Sequence, residues 1–171
     1  HRSVYELGEK ATNAFENSRK RIADFVGASK NSIVFTKSAT ESINLVAESW
    51  GYDNLNSGDV ILLTDMEHHS NIIPWQIICK KTGAKIKYIR STENGTINLE
   101  DLKKSLDSNV KIVSITHASN VFGTINPVKE ITSIVKKNGS KIMIDGCQII
   151  PHMKVNAVSY THLTLPTITG V

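Results

Sequence analysis

The adjacent histidines of "MEHHSNIIPW" (66–75) form the first grouping in this chain whose residue types suggest chemistry. As zinc ligands they are poorly spaced, because adjacent side chains diverge whereas a helical zinc pair takes His at i and i+4. His117 and His152 could be recruited, but no Cys/His spacing supports a site, and no metal is expected. An imidazole between a strand end and a helix start is better placed to stack on a flat aromatic cofactor. "SNIIPW" then reads as a turn into a helix, with Pro74 in its first turn and Trp75 in the core.

Three further stretches carry polar residues after expected strands. In "TKSATESIN" (36–44) a strand ends, small hydroxyl residues follow, and a helix begins near Thr40. Exposed N–H groups and the helix dipole there favour a phosphate, and Thr40 adds a hydroxyl. The plainer alternative is an ordinary N-cap with Glu41 in the first turn. In "IDGCQ" (144–148) an acid ends a buried strand, which costs free energy unless a cationic or protonated partner meets it. A protonated pyridine nitrogen is such a partner, and its pairing with Asp makes a pyridoxal ring an electron sink. Alternatively Asp145 caps the following turn, and Gln148 reaches either a ring hydroxyl or only local backbone. In "THASNVFGT" (116–124) Asn120 offers a donor and an acceptor, suited to a substrate carboxylate or a cofactor hydroxyl. Gly123 gives that turn its freedom, and the same residues also fit a plain loop.

The elements that must position these groups alternate between helix and strand. Apolar residues at helical spacing predict a helix over 5–28, and others over 38–50, 68–82, 98–106 and 127–137. Asn98 is the expected cap of the fourth, and Pro127 falls in the first turn of the fifth. β-Branched or continuous apolar runs predict strands at 32–36, 59–64, 85–89, 111–116 and 141–145. Such alternation implies an α/β fold, a mostly parallel sheet with helices on both faces. Ligands of these sheets sit at the carboxyl ends of the strands, where the polar stretches above fall.

The whole-chain properties narrow the classes of function. With 171 residues, 40% hydrophobic and 21% charged, one domain can bury a sizeable core. The net charge of +4 is mild and spread along the chain, which argues against nucleic acid as a partner. Cys79 and Cys147 stand far apart in no CxxC pattern, which suits a reducing cytosol rather than a disulfide scaffold. No apolar run approaches membrane-spanning length and no signal-peptide layout is present. The chain opens on His1 rather than Met, so its start is expected to be missing.

Taken together and in order, "HRSVYELGEKAT…FENSRKRIADFVGA", "IVFTKSATESINLVAESW", "GDVILLTDMEHHSNIIPWQ", "THASNVFGTINPV" and "IDGCQIIPHMKV" resemble one family. It is the group II cysteine desulfurases, class V aminotransferase-like enzymes of pyridoxal-phosphate fold type I. The resemblance runs from His1 to about Asn156, and EHHSN-x-x-PWQ is its most specific part. It implies that 1–156 is part of the large cofactor-binding domain and that the cofactor is pyridoxal 5'-phosphate. By the same resemblance Thr40 binds the cofactor phosphate, and His68 stacks on the pyridine ring as a catalytic residue. Asp145 then pairs with the ring nitrogen, Gln148 with the ring hydroxyl, and Asn120 lies near the substrate carboxylate; His69 is structural. The implied substrate is L-cysteine, with L-selenocysteine as the alternative, and the products are alanine and an enzyme persulfide for iron–sulfur cluster assembly. A homodimer, a sulfur-acceptor protein and a cytoplasmic location are implied too, with neither nucleic acid nor membrane as partner.

The chain also departs from that family. The anchoring lysine, set in a Ser-Gly-His-Lys segment beyond the acid, is absent: Lys154 in "HMKV" is the one lysine after Asp145 and is out of context. The nucleophilic cysteine and the carboxylate-binding arginine belong to a carboxyl-terminal part not seen here. Cys147 stands where a small residue is usual and is expected to be inert buried packing, and Tyr5 stands where His is frequent. "AVSYTHLTLPTITGV" (157–171) has no counterpart in the family, and "VSYTHLTLPT" resembles a translated sequencing-library adapter. Residues 157–171 are therefore set aside from fold reasoning. The expectation is an inactive fragment of a desulfurase that exposes apolar surface. The rivals are another class V enzyme, such as a selenocysteine lyase or an epimerase, and a non-catalytic shortened protein.

Overall fold

The structure, a computed structural model, describes residues 5–157, so the tail from 158 onward lies outside the described residues. Four runs rich in Ile and Val form strands: β1 Val60–Thr64, β2 Lys85–Ile89, β3 Val110–Thr116 and β4 Lys141–Asp145. They pair in parallel, in the order β2-β1-β3-β4. Successive side chains of a strand point to opposite faces. Val60 and Leu62 of β1 accordingly join Leu102, Val128, Ile131 and Val135 in one core cluster. Ile61 and Leu63 join Ile43, Ala47, Trp75 and Ile78 in another. Helices cover both faces, which is why the inner strands read as unbroken apolar runs. Ile61, Leu62 and Leu63 have no exposed surface, and cutting any of them to alanine would cost about 2–5 kcal/mol. Strand β2 lies at the sheet edge, and Lys85, Lys87 and Tyr88 face solvent.

The helices are α1 Glu6–Val26, α2 Ala39–Val46, α3 Tyr52–Asn54, α4 Ile73–Thr82, α5 Leu99–Ser105 and α6 Val128–Lys137. Helix α1 ends at Gly27, whose φ of 65° closes the last turn by returning its N–H to Ala23 and Asp24 carbonyls. Helix α2 runs through a π turn, Ala47–Gly51, directly into α3, so the helix expected over 38–50 is longer and carries a bulge. The helix expected over 68–82 is two pieces, a 3₁₀ turn at His69–Asn71 and then α4 with Pro74 in its first turn. Asn98 caps α5 as expected, its Oδ1 accepting from Glu100 N at 3.0 Å and Asp101 N at 3.1 Å. Pro127 is the N-cap of α6 rather than a first-turn residue.

The expected strand at 32–36 does not form. Ile33 is extended, but its carbonyl accepts from the Arg19 guanidinium, and no strand among the described residues pairs with the segment. Val34 and Phe35 are exposed. β-Branched composition favours extended backbone; a strand additionally needs a neighbour to complete its ladder.

The sheet order creates a switch point. From β1 the chain crosses to β2 on one side, and it later enters β3 on the other side of β1. In open parallel sheets the crevice outside the strand ends at such a point is where ligands bind. Thr64 and Thr116 end the two strands that border it.

Candidate functional site

Asp145, the last residue of β4, is 5% exposed. Its Oδ1 accepts from Cys147 N at 2.9 Å, so the carboxylate does cap the following turn. No Lys or Arg forms an ion pair with it among the described residues. Burial therefore pushes its pKa up from the usual carboxylate value, opposed by the Cys147 N–H and by the nearby His68 imidazole. A buried carboxylate in this state stabilises any cation that reaches it.

His68 follows β1 and is exposed. Its Nδ1 accepts from Ser70 N at 3.2 Å and lies 2.8 Å from Ser70 Oγ. A backbone N–H can only donate, so Nδ1 is the acceptor nitrogen and the ring proton sits on Nε2. These bonds hold the imidazole at the start of the 3₁₀ turn. The ring of His69, also exposed, meets it edge-on at 6.1 Å between centroids.

Directly beneath lies a buried polar network that the sequence reading missed. Glu67 accepts from the Thr64 hydroxyl and from Thr116 N at 2.9 Å, both on Oε1, and from Asn71 Nδ2 on Oε2 at 2.7 Å. Asn71 Oδ1 in turn accepts from Trp75 Nε1 at 3.2 Å and Ser114 Oγ at 2.6 Å. Asn126 donates to Thr116 O at 3.0 Å and accepts from Ile97 N at 2.9 Å. Burial raises the Glu67 pKa to about 7, even though all three of its hydrogen bonds favour the carboxylate. The signal was present as a four-residue spacing: Glu67, Asn71 and Trp75 recur on one side of a turn.

The other expected residues surround this ground. Ser38, not Thr40, is the N-cap of α2; its Oγ accepts from Glu41 N at 3.2 Å, and Glu41 reaches back to Lys37 N. Thr40 is exposed in the first turn, and the N–H groups of Ala39 and Thr40 have no acceptor among the described residues. Asn120 is exposed in a tight loop after β3, where Ser119 Oγ accepts from Val121 N and Phe122 N and Gly123 adopts φ 70°. Gln148 is exposed, and its side chain makes no hydrogen bond among the described residues, local backbone included. All five expected site residues except Asp145 thus face solvent.

Two further points concern the cysteines and metals. Cys147 is exposed, not buried as expected, and burial of its sulfur region plus the Asp145 charge raises its pKa. Cys79 is half-buried and pushed up to about 11 by burial. Both remain thiols at neutral pH, the wrong form for a nucleophile. Among the described residues no group of three or more His, Cys, Asp or Glu could hold a metal ion. Nor is any helix there long and apolar enough to cross a membrane.

Comparison with known proteins places these features in context. The family model described as Aminotransferase class-V matches residues 1–161. A probable cysteine desulfurase of Halalkalibacterium halodurans is 50% identical over 157 residues, covering 91% of this chain and 39% of its own. A cysteine desulfurase of Haloferax volcanii is 44% identical over 158 residues, covering 91% of this chain and 37% of its own. The apo structure of cysteine desulfurase from Thermococcus onnurineus superposes with a TM-score of 0.88 at 40% identity, over 94% of this chain and 40% of that one. The chain therefore spans about two-fifths of the length of the curated relatives it matches.

Proposed function

The chain belongs to the class-V aminotransferase family, and on that footing we propose that it supplies the cofactor cradle of a pyridoxal 5'-phosphate-dependent cysteine desulfurase. The observation that carries this is Asp145: a buried carboxylate at a strand end with no Lys or Arg partner among the described residues, near an exposed imidazole. The donor set fits the cofactor. A pyridinium N–H meets an anion at Asp145, and a phosphate dianion meets free N–H groups and a hydroxyl at the α2 N-terminus. When bound, pyridoxal phosphate supplies an electron sink that lets bonds at the substrate amino acid break.

The residues of this chain then have separable tasks. Asp145 keeps the ring nitrogen protonated, because losing that proton would leave a buried charge unpaired. His68 would cover one face of the ring and exclude water from it. Thr40, with the N–H groups of Ala39 and Thr40, holds the phosphate. Gln148 donates to the ring oxygen and Asn120 to the substrate carboxylate. We assign L-cysteine as substrate, with L-selenocysteine as a second substrate, and alanine as product. The sulfur leaves to an acceptor protein for iron–sulfur cluster assembly. The working unit is a cytoplasmic homodimer. Neither Cys79 nor Cys147 is the sulfur-accepting thiolate, and Lys154 is not the anchoring amine; these 171 residues alone hold the cofactor weakly.

The full gene product, incubated with L-cysteine and a thiol reductant, tests this. Equimolar alanine and sulfide are expected. Alanine released from L-selenocysteine alone would replace the desulfurase by a lyase, and no alanine from either would refute both.

A further inference from the structure

We propose that Glu67 is a positioning residue that fixes the His68 loop against the strand end carrying Asp145. The inference rests on the cradle assigned above, and it concerns a side chain that touches neither ring nor substrate. Its geometry is specific. Oε1 binds Thr116 N, and Thr116 is the register partner of Asp145 between β3 and β4. His117 N, the next amide, donates to Asp145 O at 2.9 Å. Oε2 binds Asn71 Nδ2, which closes the 3₁₀ turn that begins at His68. Glu67 thus ties the segment holding the stacking imidazole to the backbone beside the acid, at the switch point between β1 and β3.

The network also has a direction. Asn71 cannot turn its amide over, because Nδ2 would then confront the Trp75 indole N–H, which only donates. Position 67 must therefore present an acceptor to Asn71. A glutamine keeps the shape and can still accept from Thr116 N, but it sets an NH₂ group against Asn71 Nδ2. Adding N71D restores complementarity, because a carboxylate at position 71 accepts from the new amide, from Trp75 and from Ser114. The ionisable neighbour whose charge reaches Glu67 from the facing elements is Asp145, and no Lys or Arg pairs with Glu67 among the described residues. An ionised Glu67 polarises the Asn71 amide and strengthens the Asn71–Trp75 bond, so the indole N–H of Trp75 reports on Glu67.

The test uses the full gene product with and without pyridoxal phosphate. In the apo-protein the Trp75 indole resonance, assigned by its loss in W75F, is expected to titrate near pH 7 and to lose that step in E67Q. In the loaded protein E67Q is expected to weaken cofactor binding about tenfold, the cost of one buried unpaired donor, and E67Q/N71D to recover most of it. An unmoved indole resonance in E67Q overturns the tie. A moved resonance with unchanged cofactor affinity overturns the positioning role. Wild-type protein that binds no pyridoxal phosphate refutes the cradle, and with it the role, whatever the indole shows. If E67Q does not fold, T64V carries the same test: losing a donor to the carboxylate must raise the midpoint of the indole titration, and an unchanged midpoint overturns the tie.

Discussion

Thr116 N donates to Glu67 Oε1 at 2.9 Å, and Thr116 itself pairs with Asp145 across the β3–β4 ladder. One hydrogen bond therefore joins the loop after β1 to the acid that ends β4, across the carboxyl edge of the sheet. His68, Asn120 and Gln148 follow the carboxyl ends of β1, β3 and β4, and the buried bonds of Glu67 lie between the first two of these strands.

Glu67 makes stability depend on pH. Its folded pKa, about 7, lies above the ordinary 4.5, so the folded state holds this proton more tightly than the unfolded chain. Its contribution is fully present below pH 4.5 and declines as pH rises to about 7, then stays level. At about 1.4 kcal/mol per pH unit the window is worth at most about 3–4 kcal/mol. Urea denaturation between pH 5 and 8 should show wild type losing stability relative to E67Q across that range; parallel curves would contradict this.

Asp145 trades stability for binding. Asn at this position keeps the oxygen that accepts from Cys147 N, while removing a charge that burial disfavours. At pH 8 the D145N apo-protein should be at least as stable as wild type, yet bind pyridoxal phosphate about tenfold or more weakly. Thermal unfolding of the apo-protein and cofactor titration read the two effects separately.

At the α2 N-terminus, capping and phosphate binding fall on different residues. S38A removes the cap and should cost about 1 kcal/mol of stability. T40V alters an exposed side chain and should change stability by less than about 0.5 kcal/mol while weakening cofactor binding. Chemical denaturation and cofactor affinity of both variants check the division.

Thr132, on the buried side of α6, has a hydroxyl with no hydrogen-bond partner among the described residues. T132V keeps the branched shape and should stabilise the chain by about 1 kcal/mol in urea denaturation.

The sheet and its covering helices were legible because strands buried on both faces leave unbroken apolar runs, as "VILLT" and "KIMID" do. Ile33–Thr36 carries the same composition but no partner strand, and partners are not written in local sequence. The burial of Asp145 at the end of β4 and the place of His68 after β1 were legible from the strand pattern. Glu67 was hidden because its role depends on Thr116, 49 residues away, and an acid beside two histidines draws attention to them instead. Cys147 is exposed where burial is expected, and partial desolvation together with the charge of Asp145 holds its proton.

The most direct test is a crystal structure of the full gene product with pyridoxal phosphate bound. The ring nitrogen is expected within hydrogen-bond distance of Asp145, the His68 imidazole on one face of the ring, and the phosphate at Ala39–Thr40. A ring nitrogen turned away from Asp145, or a phosphate held elsewhere, would contradict this placement.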